Sequence, residues 1–275
     1  IGSPVAGVNL QTLIDNNSSL ATNGSEVAIA PFDNSAGDTA ELMYSYYSTT
    51  GNSTTITSGQ GFAMATDEGS TTATVDFTGT INTSDVTFAI DDESSSNTDN
   101  GKFNLVSNPF PTYIAFNAAA VSASGATEAF LTINATTNDN LHNSYAGLWG
   151  YDGDGTFTEK NATSAGAIYI APGQGFFVAA DANVNLDFTE AMQTVNGTDD
   201  FISGDIMDDV FEVLLRLYHG EEKIEETRLY FENGLSLGLN PGYDAGAFDQ
   251  NAALMTRLVE DDEGHGFAIN AMSTE

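Results

Sequence analysis

The sequence predicts an all-β fold: tandem β-sandwich-like modules with short helical turns, followed by a further β-rich C-terminal element. Three observations predict it. Thr72–Gly79 alternates cleanly, with Ala73, Val75 and Phe77 on one side and Thr74, Asp76 and Thr78 on the other, the period of two of a half-buried strand. Short apolar runs recur between Gly, Pro and Asn turns along the whole chain, the pattern of sandwiches. A long internal repeat is also present, since IGSPVAGV and ITSGQGFAMA return as NLVSNPFP and IAPGQGFFVAA. Pro109 follows Pro4 by 105 residues and Gly173 follows Gly59 by 114. A period of that length with a small drift describes two diverged modules rather than a solenoid. The expected division is 1–100, 101–200 and a third, incomplete-looking element over 201–275.

The elements follow in order. Leu10-Gln11-Thr12-Leu13-Ile14 is a short amphipathic run, and Val27–Ala30 a strand ended by Pro31. Ala40–Tyr47 reads as a strand carrying Tyr44, Tyr46 and Tyr47. Gly59-Gln60-Gly61 turns into the strand opened by Phe62, and Val86–Ile90 is a further strand. In the second copy a strand from Asn104 stops at Asn108-Pro109-Phe110-Pro111, because proline has no amide proton to give a ladder. Ala115–Ala123, rich in alanine, is the best helical stretch. LWGYDGDGTFTEKN reads as strand-turn-strand, and Pro172-Gly173-Gln174-Gly175 turns into Phe176-Phe177-Val178. Val184–Phe188 (VNLDF) corresponds to TVDF at 74–77. Asp209–Tyr218 and Glu225–Phe231 form a hairpin, and Leu254–Val259 and Gly266–Ala271 a final strand pair.

Charge narrows function. With 39 acidic and 6 basic residues the net charge is −33, which repels nucleic acid and anionic lipid. Such a surface suits a chain living in salt or collecting divalent cations. The absence of cysteine removes disulfides, thiolate metal sites and a cysteine nucleophile. No apolar run reaches the roughly 18 residues of a membrane helix, so membrane insertion is not expected.

Asp152-Gly153-Asp154-Gly155-Thr156 is the metal candidate. Asp152, Asp154 and Thr156 offer alternate oxygens on a glycine-rich turn, which suits Ca²⁺; the competing reading is a plain hairpin turn. Trp149 and Tyr151, two apart on one strand, form a candidate glycan platform whose alternative is a core face. Gly234-Leu235-Ser236-Leu237-Gly238 matches the nucleophile-elbow pattern, followed by Asp244, Asp249 and His265. The elbow needs a strand-turn-helix, and none is patterned here, so no catalytic residue is expected. His142, His219 and His265 lack zinc-ligand spacing.

The pieces SPVAGV, FTGTINTSDVTF, NLVSNPFPTYIAFN, LWGYDGDGTF, IAPGQGFFVAA, RLYFENG, GYDAGAF and FAIN, in that order, carry a family resemblance. The chain resembles the C-terminal β-rich regions of large secreted and surface proteins of Bacteroidetes, the cargo of the type IX secretion system. The resemblance implies an exported parent protein and a non-catalytic β-region lying ahead of a sorting domain, which this sequence lacks. Asp38-Thr39-Ala40 resembles the phylum's O-glycan attachment motif, making Thr39 the expected glycosylation site.

The function expected is therefore a non-enzymatic, extracellular structural or adhesive protein of the cell surface, forming filaments stiffened by divalent cations. Its partners would be further copies of itself, other surface proteins, or glycans, with an open sheet edge in the last third accepting a neighbour's strand. The alternative is a carbohydrate-binding accessory region of a secreted polysaccharide-degrading enzyme.

Overall fold

A computed structural model describes residues 1–36, 43–67, 74–97, 100–151, 157–164, 166–197, 211–220, 222–231, 235–240, 243–248, 252–262 and 264–273. Its fold is all-β, with several small sheets and few helical turns.

The first repeat packs around Leu10, Leu13, Val27, Ile29 and Phe62. Helix α1 (Leu10–Asn16) starts where the Asn9 side chain accepts the Thr12 amide, and it buries Leu10 and Leu13. Beside it lie β1 (Thr22–Asn23), β2 (Glu26–Val27) and β4 (Tyr47–Ser48) in one sheet, and β3 (Ile29–Pro31) paired with β5 (Phe62–Met64). Of the described part of Ala40–Tyr47, only Tyr47 is in a strand. Tyr44 instead makes a single bridge to Phe32.

The alternating stretch at 74–78 has the predicted burial but belongs to no assigned strand. Val75 and Phe77 pack on the first core. In place of a neighbouring strand, the buried Asn17 side chain accepts the Asp76 amide at 2.7 Å and donates to the Asp76 carbonyl at 3.0 Å. Apolar alternation reports a half-buried extended chain; it does not report whether a ladder supplies the backbone partners.

The second repeat is larger. β7 (Phe103–Ser107), β9 (Leu148–Tyr151), β10 (Phe157–Lys160) and β12 (Gly175–Ala179) form a sheet in the order β10-β9-β12-β7. β8 (Tyr113–Ala115), β11 (Tyr169–Ile170) and β14 (Gln193–Thr194) form another, centred on β8. The expected helix over 115–123 is shifted: β8 claims Ala115, and α2 runs Ala118–Ser124 from the Asn117 cap to Gly125 at φ 81°. β6 (Val86–Ile90) pairs with β13 (Val184–Phe188) in continuous antiparallel register. Ile90 therefore sits in the second core with Phe130, Phe176 and Phe188.

The two repeats grip each other through equivalent positions. The Gly2 amide donates to the Gly173 carbonyl at 2.7 Å, and the Ser107 amide to the Gly59 carbonyl at 2.8 Å. Each opening strand thus bonds the glycine turn of the other repeat. A Cβ on Gly173 (φ +66°) would stand 2.7 Å from the Gly2 oxygen, and one on Gly61 2.7 Å from the Val106 oxygen. The close approach requires glycine at both positions, and at Gly173 the left-handed backbone requires it as well.

In the last third β15 (Phe211–His219) and β16 (Glu222–Phe231) form the predicted hairpin. β18 (Phe267–Met272) lies parallel to β16 and antiparallel to β17 (Ala245–Gly246), giving the order β15-β16-β18-β17. The expected final pair of strands reduces to one bridge, Thr256 to Phe267. This third does not stand apart: Tyr230, Ala245 and Ile269 share one core with Phe103, Tyr145, Trp149 and Phe177, against which Phe32 and Tyr44 also pack.

Candidate functional site

A cavity of about 990 Å³ lies where the two repeats meet. β5 and the bridge at Tyr44 bring Phe62, Tyr44 and Tyr46 from the first repeat; β9, β10 and β12 bring Trp149, Tyr151, Phe157 and Phe177 from the second. The floor includes Gly173-Gln174-Gly175, the turn that the inter-repeat bonds hold in place.

The tyrosines that the sequence separates by a full repeat become neighbours here. Tyr46 is 53% and Tyr151 57% exposed, so they form the rim. Tyr44 lies deeper, and burial, reinforced by the phenols of Tyr46 and Tyr151, pushes its hydroxyl up to about 12. Tyr151 and Phe157 are tilted at 5.4 Å between centroids, and Phe157 meets Phe177 edge-on at 5.9 Å.

Trp149 is fully buried. Its ring meets Phe103 edge-on at 5.2 Å, and its indole N–H has no hydrogen-bond partner among the described residues. The expected two-residue platform is thus split. Trp149 forms the wall and belongs to the shared core, while Tyr151 faces solvent, with Tyr46 from the other repeat as its companion. That pairing has no signal in local spacing.

Chemically the cavity offers ring faces, phenol hydroxyls and backbone amides. Among the described residues its lining contains no Asp, Glu, Lys, Arg or His side chain, although the chain carries 39 acids. Such a surface suits a neutral ligand that presents apolar faces flanked by hydroxyls or amides.

The other predicted site residues fall elsewhere. Asp152, Asp154 and Thr156 lie outside the described residues, as do Thr39 and Asp249. Among the described residues there is no cluster of His, Asp and Glu suited to a metal ion. Ser236 donates its hydroxyl to the Asn240 side-chain oxygen at 3.0 Å. Asp244 is fully buried and accepts the amides of Asn240 and Ala271, each at 2.6 Å. Burial pushes this carboxyl up to about 6, against the pull of those donors. Asp244 is a strut for the last sheet rather than an orienter of His265, which lies by Tyr145. Asn134 and Asn161 are also buried, and their side chains bond backbone groups.

No helix among the described residues is long and apolar enough to cross a membrane. A family model described as a domain of unknown function, DUF8693, matches residues 1–273. No curated protein and no solved structure matches the chain.

Proposed function

The chain belongs to the DUF8693 family, and from that premise we propose that it is a non-enzymatic, extracellular adhesive module of the bacterial cell surface that holds a neutral glycan in the cavity between its repeats. One observation carries the reading: two repeats contribute aromatic side chains to a cavity whose described lining has no charged side chain, in a chain of net charge −33. Sugar rings present C–H faces to aromatic rings and hydroxyls to phenols and amides, so Tyr46 and Tyr151 would stack and Tyr44 would anchor. The resemblance to type IX secretion cargo and the acidity support the location outside the cell.

The test is calorimetric titration of neutral oligosaccharides into the wild type and the Tyr46→Ala and Tyr151→Ala variants. Both tyrosines are more than half exposed, so the variants keep the fold while losing the stacking surface. Binding by the wild type that both variants lose supports the reading; equal binding by all three, or none by the wild type, contradicts it. Calcium at Asp152, Asp154 and Thr156 is a second part of the proposal. A calcium-specific rise in Tm that vanishes in Asp152→Asn with Asp154→Asn would support it, and a response to ionic strength alone would remove it.

A further inference from the structure

We propose that the glycan held between the repeats carries an acetamido group, and that Gln174 is the residue that selects it. The inference rests on the glycan reading above and names the sugar class for the same cavity. It starts from what the lining can donate and what it can accept.

Among the described residues Gln174 is the only amide side chain in the lining. It belongs to the turn Pro172-Gly173-Gln174-Gly175, whose Gly173 carbonyl takes the Gly2 amide of the other repeat at 2.7 Å. The Gln174 side-chain oxygen accepts the Ala171 amide at 3.0 Å. That bond settles which end of the carboxamide is which, because an N–H can be met only by the oxygen. Its Nε2 group is left over, and it donates to no other residue among the described ones. The half-buried side chain is thus held at the cavity floor with its donor end unused. A donor already fixed in place adds little ordering cost when a ligand arrives.

Strong acceptors are scarce in this lining. No carboxylate stands among the described lining residues, and the polar side chains besides Gln174 are Trp149 and the phenols of Tyr44, Tyr46 and Tyr151. The Trp149 N–H also lacks a partner but is sealed from solvent, which leaves Gln174 as the N–H side chain that a ligand can reach. A plain hexose brings hydroxyls, each of them a donor as well as an acceptor. An acetamido carbonyl is an acceptor alone, and it matches the Gln174 donor. Covering that N–H with a ligand that offers it no acceptor leaves it unsatisfied, which is costly. The methyl of the same group needs small apolar surface. Ala171, whose amide Gln174 holds, supplies it, and Ala63 and Ala65 of the first repeat line the same cavity.

The internal repeat provides a control. Gln60 has the equivalent place in Gly59-Gln60-Gly61, yet it is not part of the cavity lining.

The test is calorimetric titration of the full chain with paired oligosaccharides of equal length and linkage: N-acetylglucosamine against glucose, and N-acetylgalactosamine against galactose. The wild type should bind the acetylated member of a pair about tenfold more tightly. Gln174→Glu keeps an oxygen for the Ala171 amide and removes the donor, so the two members should bind about equally. Gln60→Glu adds the same charge outside the cavity and should leave the preference intact. Equal affinity of the wild type for both members of each pair overturns the proposal while leaving a neutral glycan in the cavity. So does a preference that survives in Gln174→Glu, or a loss of both sugars in equal measure. Binding of no sugar by the wild type removes the glycan reading itself, and the acetamido assignment with it.

Discussion

Asn134 supplies Asp187 with both of its missing backbone partners: its side-chain oxygen accepts the Asp187 amide at 2.8 Å, and its side-chain nitrogen donates to the Asp187 carbonyl at 2.9 Å. The same nitrogen donates to the Phe130 carbonyl at 3.0 Å. In the first repeat Asn17 does this for Asp76, donating also to the Leu13 carbonyl at 2.7 Å. One asparagine per repeat thus stands in for an absent strand and ties it to the preceding helical turn.

Replacing the buried Asn134 with Ala removes the partner of the part-buried Asp187 amide and carbonyl, of the Phe130 carbonyl and of the Asn140 side-chain amide. The expected loss is about 2–4 kcal/mol. Asn134→Asp should be no better, since a carboxylate accepts the amide but faces two carbonyl oxygens. Urea unfolding of both variants, with Asn17→Ala beside them, measures this.

Gly173→Ala combines a left-handed backbone with a 2.7 Å collision against the Gly2 carbonyl. Gly125 is also left-handed (φ +81°), but a Cβ there meets nothing within 4 Å. Gly125→Ala should cost about 1 kcal/mol and Gly173→Ala clearly more, because only the latter pries the repeats apart. The comparison of Tm values isolates the inter-repeat grip from backbone strain.

Trp149→Ala should destabilise by about 3–5 kcal/mol through the cavity it leaves in the shared core. A loss of ligand binding in that variant would therefore say nothing about recognition. Tyr151→Ala should change stability by no more than about 0.5 kcal/mol, as exposed substitutions do. Thermal unfolding of the two variants separates wall from rim.

Asp244 gives stability a pH dependence. Its carboxyl titrates near 6 when folded against an ordinary value of 3.8, so between these values the folded chain holds a proton that the unfolded chain has lost. The contribution is fully present below about 3.8, declines as pH rises, and is gone above about 6. Asp244→Ala should flatten that slope while lowering stability throughout, because the Asn240 and Ala271 amides lose their acceptor. Urea unfolding from pH 4 to 7 reads both effects.

Much of the fold is legible in the sequence because it is local or repeated. The β15–β16 hairpin follows from two apolar runs around a polar turn. The glycine turns at Gly59 and Gly173 recur because each repeat must pass its backbone close to the other. Less legible is what depends on partners far along the chain. Asn17 and Asn134 look like loop residues, since nothing nearby tells an asparagine bridging to a strand from one in water. Tyr46 and Tyr151 share a rim only because their repeats dock. Trp149 turns inward into a core it shares with Tyr230 and Ile269 from the last third, an environment no periodicity within β9 can announce.

The most direct test of the central claim is titration of neutral oligosaccharides into the wild type and Tyr151→Ala under identical buffer and salt, with Tm recorded for both. Saturable binding by the wild type that insensitivity to salt marks as uncharged, and that Tyr151→Ala abolishes without moving Tm, is the predicted result. No binding by the wild type, or binding that Tyr151→Ala leaves intact, would contradict a glycan held between the repeats.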